Sequence, residues 1–185
     1  GNEGCPVPSP RMRQTYRAFA EAGAAAVVGM HTHCPQGVEV WKGVPIIYSL
    51  GNFLFDRQGI PSGGMAPEPY DPTDYWWVGY MVRMNLDHHG AADFEVIPYT
   101  FGPSAEAVRL YRGEHKQRFL RYLSQLSAPI QKTEALKQLW EAWCMVQGPD
   151  RMGLLKHACW PVENDEQRAR MLQTRNVFTC ESHCE

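Results

Sequence analysis

A capped helix, an apolar run and a pair of histidines follow one another without a break between residues 9 and 33, and this succession restricts the fold more than anything else in the chain. In "SPRMRQTYRAFAEAG" Ser9 is placed to cap a helix, Pro10 suits its first position and Gly23 suits its end. Met12, Tyr16, Phe19 and Ala20 recur at helical spacing and form its apolar face. "AAAVVGM" then reads as a short, fully buried strand. A helix feeding directly into a buried strand is the grammar of a sheet with parallel neighbours. No strand pattern precedes the helix, so the expectation is that this chain is the C-terminal part of a larger α/β unit. The open side of the "AAAVV" strand is then expected to be covered, by a homo-oligomer or by another segment, because an apolar edge invites association.

The run ends in "GMHTHCPQG". In extended backbone, residues i and i+2 point the same way, so His31 and His33 are expected to aim at one place just past the strand. Strand ends of α/β sheets are where ligands collect, and imidazole suits zinc, iron, manganese or nickel. Two histidines need further carboxylate or histidine partners to hold a divalent metal. The plain alternative is a pair of polar loop histidines.

Downstream, "VEVWKGVPIIYSL" reads as a hairpin turning at Lys42-Gly43, followed by "GNFLF". Residues 57–75 carry four prolines and three glycines and read as a long loop, expected to border the His31/His33 site and to be more mobile than its flanks. "WWVGYMVRMNLD" and "ADFEVIPYTF" read as strands joined at His88-His89-Gly90. After Gly102 the pattern becomes helical. Val108, Tyr111, His115, Phe119, Tyr122 and Leu126 step by three and four. "TEALKQLWEAWCMVQG" puts Leu136, Leu139, Trp140, Trp143 and Cys144 on one face, and Asn164 with Gln167 has capping-box spacing. The organisation is therefore a mixed unit over 1–103 and a helical region over 104–185 packing on it. His115 and His157 read as packing or surface histidines, and His88 and His89 as solvent-exposed turn residues.

The charge balance and cysteines narrow the function classes. A net charge of -2 gives no footprint for nucleic acid or a membrane surface. No apolar stretch approaches the roughly 20 residues that span a bilayer. "GNEGCPVPSP" resembles neither a signal nor a transit peptide, so a cytoplasmic location is the expectation for the chain as given. The six cysteines form no CxxC pair, and most are expected to be reduced thiols. Cys180, His183 and Cys184 of "CESHC" would share a helical face, but soft-ligand zinc sites need four donors.

Residues 8–56, "PSPRMRQTYRAFAEAGAAAVVGMHTHCPQGVEVWKGVPIIYSLGNFLFD", resemble the capsule-synthesis CapA family, which is associated with poly-γ-glutamate production and is similar to calcineurin-like metallophosphoesterases. "NVFTCESH" resembles the tail of some members. The resemblance implies an α/β (α+β) fold, the C-terminal portion of a four-layer αββα metallophosphatase-like sandwich followed by a helical region. It implies His31, His33 and Glu3 as metal ligands, and His31, His33 and Asn52 as residues of the catalytic cleft, with Asp56 a weaker candidate. Met30 departs from the pattern, where another histidine often stands. The acidic and histidine ligands that open the family domain do not precede Gly1. The implied chemistry is hydrolysis of a phosphoester assisted by manganese, zinc or iron. The implied partners are polyglutamate synthesis components, with cell-envelope association for a full-length form. The alternatives are a non-catalytic component of a synthesis or export complex, or an inactive fragment.

Overall fold

The computed structural model describes residues 2–53, 75–88, 90–101, 107–158 and 162–179. It is a mixed α and β structure with two three-stranded sheets and four helices among those residues. Helix α1 spans Pro10–Glu21. The Ser9 hydroxyl accepts from the Met12 amide at 3.0 Å, Pro10 opens the first turn, and Gly23 lies just past the end at φ 101°. These are the local signals that start and stop a helix.

The first sheet has the order β1-β3-β2, from strands β1 (Val27–Val28), β2 (Val38–Trp41) and β3 (Val44–Ile47). β2 and β3 form the expected hairpin. Lys42 and Gly43 both take positive φ, 50° and 87°, the backbone that matches a two-residue turn to strand twist. β1 runs parallel to β3, with Val27 opposite Ile46 and Val28 opposite Ile47. It is two residues long and stands at the sheet edge, and Val28 is 49% exposed. The expectation of a fully buried strand is thus corrected, because among the described residues β1 has a partner on one side only.

One face of this sheet packs on α1 through Met12, Ala20, Val27, Ile46, Tyr48 and Ile130. Tyr16 stacks on Tyr48 with ring centroids 5.5 Å apart. Phe19, expected on the buried face, is 52% exposed. Arg17 grips the fully buried Glu39 through two hydrogen bonds of 3.0 and 2.7 Å, and the Tyr48 hydroxyl donates to the same carboxylate at 2.6 Å. The guanidinium also lies 3.8 Å from the centroid of the Trp41 ring. A buried carboxylate persists when its lone pairs are met in this way.

The second sheet has the order β4-β5-β6, from β4 (Val78–Asp87), β5 (Gly90–Thr100) and β6 (Arg109–Leu110). Trp76 and Trp77, expected in a strand, belong to a short 3-10 turn, Tyr75–Trp77, that leads into β4. β6 replaces the expected start of a helix, because Val108 and Tyr111 flank a strand that pairs with β5 at Tyr99 and Thr100. The helix begins later, as α2 (Gly113–Ser127). The main core lies where this sheet meets the first sheet and α2: Ile47, Val78, Tyr80, Tyr99, Phe101, Phe119 and Leu123.

Helix α3 (Thr133–Ala158) runs through Gly148 and Pro149. Leu136 is buried on its inner side, whereas Leu139, expected on the same face, is exposed. Helix α4 (Asp165–Thr179) starts as anticipated, with Asn164 accepting from the Gln167 amide at 2.9 Å. No helix among the described residues is long and apolar enough to cross a membrane.

Candidate functional site

The site is assembled where the end of the first sheet meets the start of the second. Gly51 adopts φ 80°, pairs with Gly79, and lies so close to β4 that a side chain there would reach within 2.8 Å of the Val78 carbonyl. Only glycine satisfies both the backbone and the space. The turn presents Asn52, which is buried and held at three points. Its amide nitrogen donates to the Trp76 carbonyl at 3.2 Å, its carbonyl oxygen accepts from the Tyr99 hydroxyl at 3.0 Å, and its side-chain oxygen meets His33 Nδ1 at 2.7 Å.

His31 and His33 arrive by a different backbone from the extended one anticipated. Both sit at positive φ, 85° and 57°. This left-handed region is uncommon for residues other than glycine, although histidine is enriched there among the exceptions. Thr32 between them is buried, hydrogen-bonded to the Ser49 hydroxyl at 2.8 Å and to the Cys34 carbonyl at 3.0 Å. The loop is therefore pinned by its middle residue while its two histidines face outward. Their ring centroids are 6.2 Å apart, and the His33 ring also stacks on Trp76 at 5.3 Å.

Glu3 reaches the site because the N-terminal segment is tied to this loop. The Gly4 amide donates to the Thr32 carbonyl at 2.8 Å. The Cys5 carbonyl accepts from Cys34 Sγ at 3.0 Å and from the Gln36 side chain at 2.9 Å. Cys5 and Cys34 are both fully buried, and burial pushes the Cys34 thiol up to about 12, so it stays protonated at neutral pH. Glu3 Oε1 then lies 3.8 Å from His33 Nε2.

These contacts fix the chemistry of His33. The Trp76 carbonyl only accepts, so the Asn52 nitrogen must face it and the Asn52 oxygen must face His33. His33 Nδ1 therefore carries a proton, and in the neutral ring Nε2 offers its lone pair toward Glu3. A hydrogen bond from one ring nitrogen to a fixed oxygen in this way sets the tautomer and orientation of an imidazole. The 3.8 Å between Nε2 and the carboxylate is a gap that two ligand bonds of about 2.0–2.2 Å can span. An imidazole nitrogen and a carboxylate oxygen are donor types that divalent cations take. Among the described residues, no group of three or more histidine, cysteine, aspartate or glutamate side chains gathers closely enough to complete a coordination shell.

The sequence reading named Glu3, His31, His33 and Asn52, and all four lie around this cleft, with His33 as the hub. It missed Trp76, in the 3-10 turn before β4, and Tyr99 of β5, which position Asn52; no local spacing marks them. Asp56, residues 57–74, His89, the side chain of His157, and Cys180, His183 and Cys184 lie outside the described residues. His88 is exposed, and His115 is exposed and stacks on Tyr111 at 6.1 Å.

Comparison with known proteins adds a second line of information. The family described as bacterial capsule synthesis protein PGA_cap matches residues 1–57. The chain is similar to the PGA biosynthesis protein CapA of Bacillus subtilis (strain 168), at 36% identity over 91 residues, which is 49% of this chain and 20% of that protein. It is also similar to the capsule biosynthesis protein CapA of Bacillus anthracis, at 34% identity over 91 residues, 49% of this chain and 19% of that protein. The chain thus spans about a fifth of the length of the curated relatives it matches.

Proposed function

We propose a function from one premise: through its residues 1–57 this chain belongs to the bacterial capsule synthesis protein family. On that premise the protein takes part in assembling capsular poly-γ-glutamate, and His33 with Glu3 forms one side of a divalent-metal site in a metallophosphatase-like hydrolase. The observation that supports this reading is the one-sided histidine, with Nδ1 committed to Asn52 and Nε2 left facing a carboxylate 3.8 Å away.

The roles follow from position. Asn52 holds the tautomer and the ring orientation of His33. His33 contributes its Nε2 lone pair, and Glu3 contributes negative charge and a hard oxygen donor. His31, exposed at the rim with its ring 6.2 Å from that of His33, is placed to add a ligand or to give a proton to a leaving alkoxide. A divalent cation, when bound, supplies polarisation of a phosphoryl oxygen and a lowered pKa for its water.

The donor count among the described residues favours a second reading, a non-catalytic component of a synthesis or export complex. Two or three donors bind metal weakly and leave water unactivated. The purified chain is expected to take up manganese or zinc weakly, to lose that uptake on His33→Ala, and to show no turnover of a chromogenic phosphodiester or monoester. Turnover abolished by His31→Ala or His33→Ala would mean that this segment alone completes a hydrolytic site. Metal uptake that ignores both substitutions would remove the metal assignment and leave the non-catalytic reading. Co-purification with a polyglutamate ligase tests the role in polymer assembly.

A further inference from the structure

The segment that leads from β6 into α2, "RLYRGEHKQRFLR" at residues 109–121, carries five cations and one carboxylate. It is charged +4 in a chain whose total is -2. Arg109, Arg112, Arg118 and Arg121 are exposed, and among the described residues no carboxylate pairs with Arg109, Arg112 or Arg121. Like charges this close repel one another and lower stability, so a merely solvated surface gains nothing from them. Arg118 and Arg121 lie three apart on one exposed face of the helix. One carboxylate indicates what the strip receives. Glu95 of β5, half exposed, lies 3.2 Å from Arg83 of β4 and 3.6 Å from Lys116 of α2. The strip also starts beside the histidine cleft, since β6 pairs with β5 at Tyr99 and Thr100, and the Tyr99 hydroxyl holds Asn52.

We propose that this strip binds a polymer of carboxylates and holds it beside the cleft. That the polymer is poly-γ-glutamate rests on the function proposed above. Charge complementarity selects a polyanion, and the residue type selects carboxylates, since the planar fork of arginine meets a carboxylate through two parallel hydrogen bonds. The helix from Gly113 to Arg121 rises about 12 Å. A polymer therefore meets several cations at once, and each contact raises the effective concentration for the next. A nucleic acid strand would ask for rings on which its bases stack. The exposed neighbours of Arg118 and Arg121 on α2 are Glu114, Gln117, Ser124 and Gln125, which offer none.

Fluorescence anisotropy of labelled poly-γ-glutamate titrated with the purified 185-residue chain tests the proposal, with far-UV circular dichroism to confirm folding. The polymer should bind, and a γ-linked triglutamate should bind about tenfold more weakly or worse, because it loses the later contacts. Raising salt from about 0.05 to 0.3 M should weaken polymer binding through screening of exposed charges. Arg109→Gln, Arg112→Gln and Arg121→Gln combined should weaken it about tenfold, the effect of three exposed ion pairs. Arg121→Gln alone, at an exposed helix position, should weaken it about twofold and serves if the triple variant unfolds. Arg11→Gln, Lys132→Gln and Arg168→Gln combined remove the same charge from exposed positions elsewhere and should change binding by less than about twofold. Polymer binding that survives the first triple variant, or falls equally in both, overturns the strip and leaves the polyglutamate reading standing. Strip-dependent binding of a thymidine oligonucleotide or of phosphatidylglycerol vesicles, with none of the polymer, overturns the choice of partner. Absence of all binding overturns the proposal, and co-purification with a polyglutamate ligase then tells whether the function proposed above falls with it.

Discussion

At the scale of single residues, the site is a matter of which atom of His33 faces Glu3. Asn52 determines this, and Asn52 is itself held by the Trp76 carbonyl and the Tyr99 hydroxyl. Asn52→Ala should therefore weaken manganese or zinc binding about 10–100-fold while leaving His33 in place, as loss of an outer-shell partner does elsewhere. Nitrogen-15 NMR of the imidazole gives a readout besides affinity: the Nδ1-protonated tautomer should dominate in the wild type and give way to a mixture in the variant. Unchanged tautomer populations would count against Asn52 as the positioning residue. His31, His33 and Asn52 were legible from the sequence through the "HTH" and "SLGN" stretches. Trp76 and Tyr99 were not, because they stand 24 and 47 residues from Asn52 and are delivered by a second sheet. The positive φ values of the two histidines were also hidden, since nothing in a histidine announces a left-handed backbone.

At the scale of elements, α1 is joined to its sheet by a charged cluster as well as by apolar packing. Glu39→Ala would leave the Arg17 guanidinium and the Tyr48 hydroxyl without their shared partner. The expected loss is about 3 kcal/mol, at the lower end for a broken buried pair, because Arg17 keeps some contact with water. Urea unfolding checks this, and a loss under 1 kcal/mol would mean that the cluster carries little. Elements governed by local chemistry read well: the Ser9 cap, the Pro10 start and the Lys42-Gly43 turn all stand where the sequence puts them. Elements governed by distant pairing did not. Val108 and Tyr111 fit a helical step, yet β5 recruits the residues between them as β6. Nor does the "AAAVV" composition disclose whether a neighbour lies on one side of the strand or on both.

At the scale of the molecule, the N-terminal segment lies between two distant parts of the chain. Cys5 and Val7 pack with Leu136, Trp140 and Trp143 of α3, while the neighbouring Gly4 and Cys5 bond to the histidine loop. The helical region thus supports the strip of backbone that carries Glu3. Leu136→Ala should cost about 2–5 kcal/mol in stability through the cavity it leaves. Under conditions where the variant remains folded, it should also weaken metal uptake several-fold by loosening Glu3, although Leu136 touches no ligand. Calorimetric metal titration below the variant's melting temperature separates the two effects. A stability loss with unaltered uptake would show that the helices support the fold without supporting the site. The mixed α and β class and the helical second half were legible from periodicity, but this bracing was not, because it joins residues more than a hundred positions apart.

The left-handed backbone at His31 sets two selective pressures against each other. A non-glycine residue at that φ costs about 1 kcal/mol, and the ring it carries is exposed. In a randomised library screened only for survival of heating, glycine should rise at position 31. In the same library screened for manganese or zinc uptake, histidine should persist. A heat screen that kept histidine would mean that the ring already earns its place in the fold. Divergent winners would mark position 31 as a residue retained for its imidazole at the expense of stability.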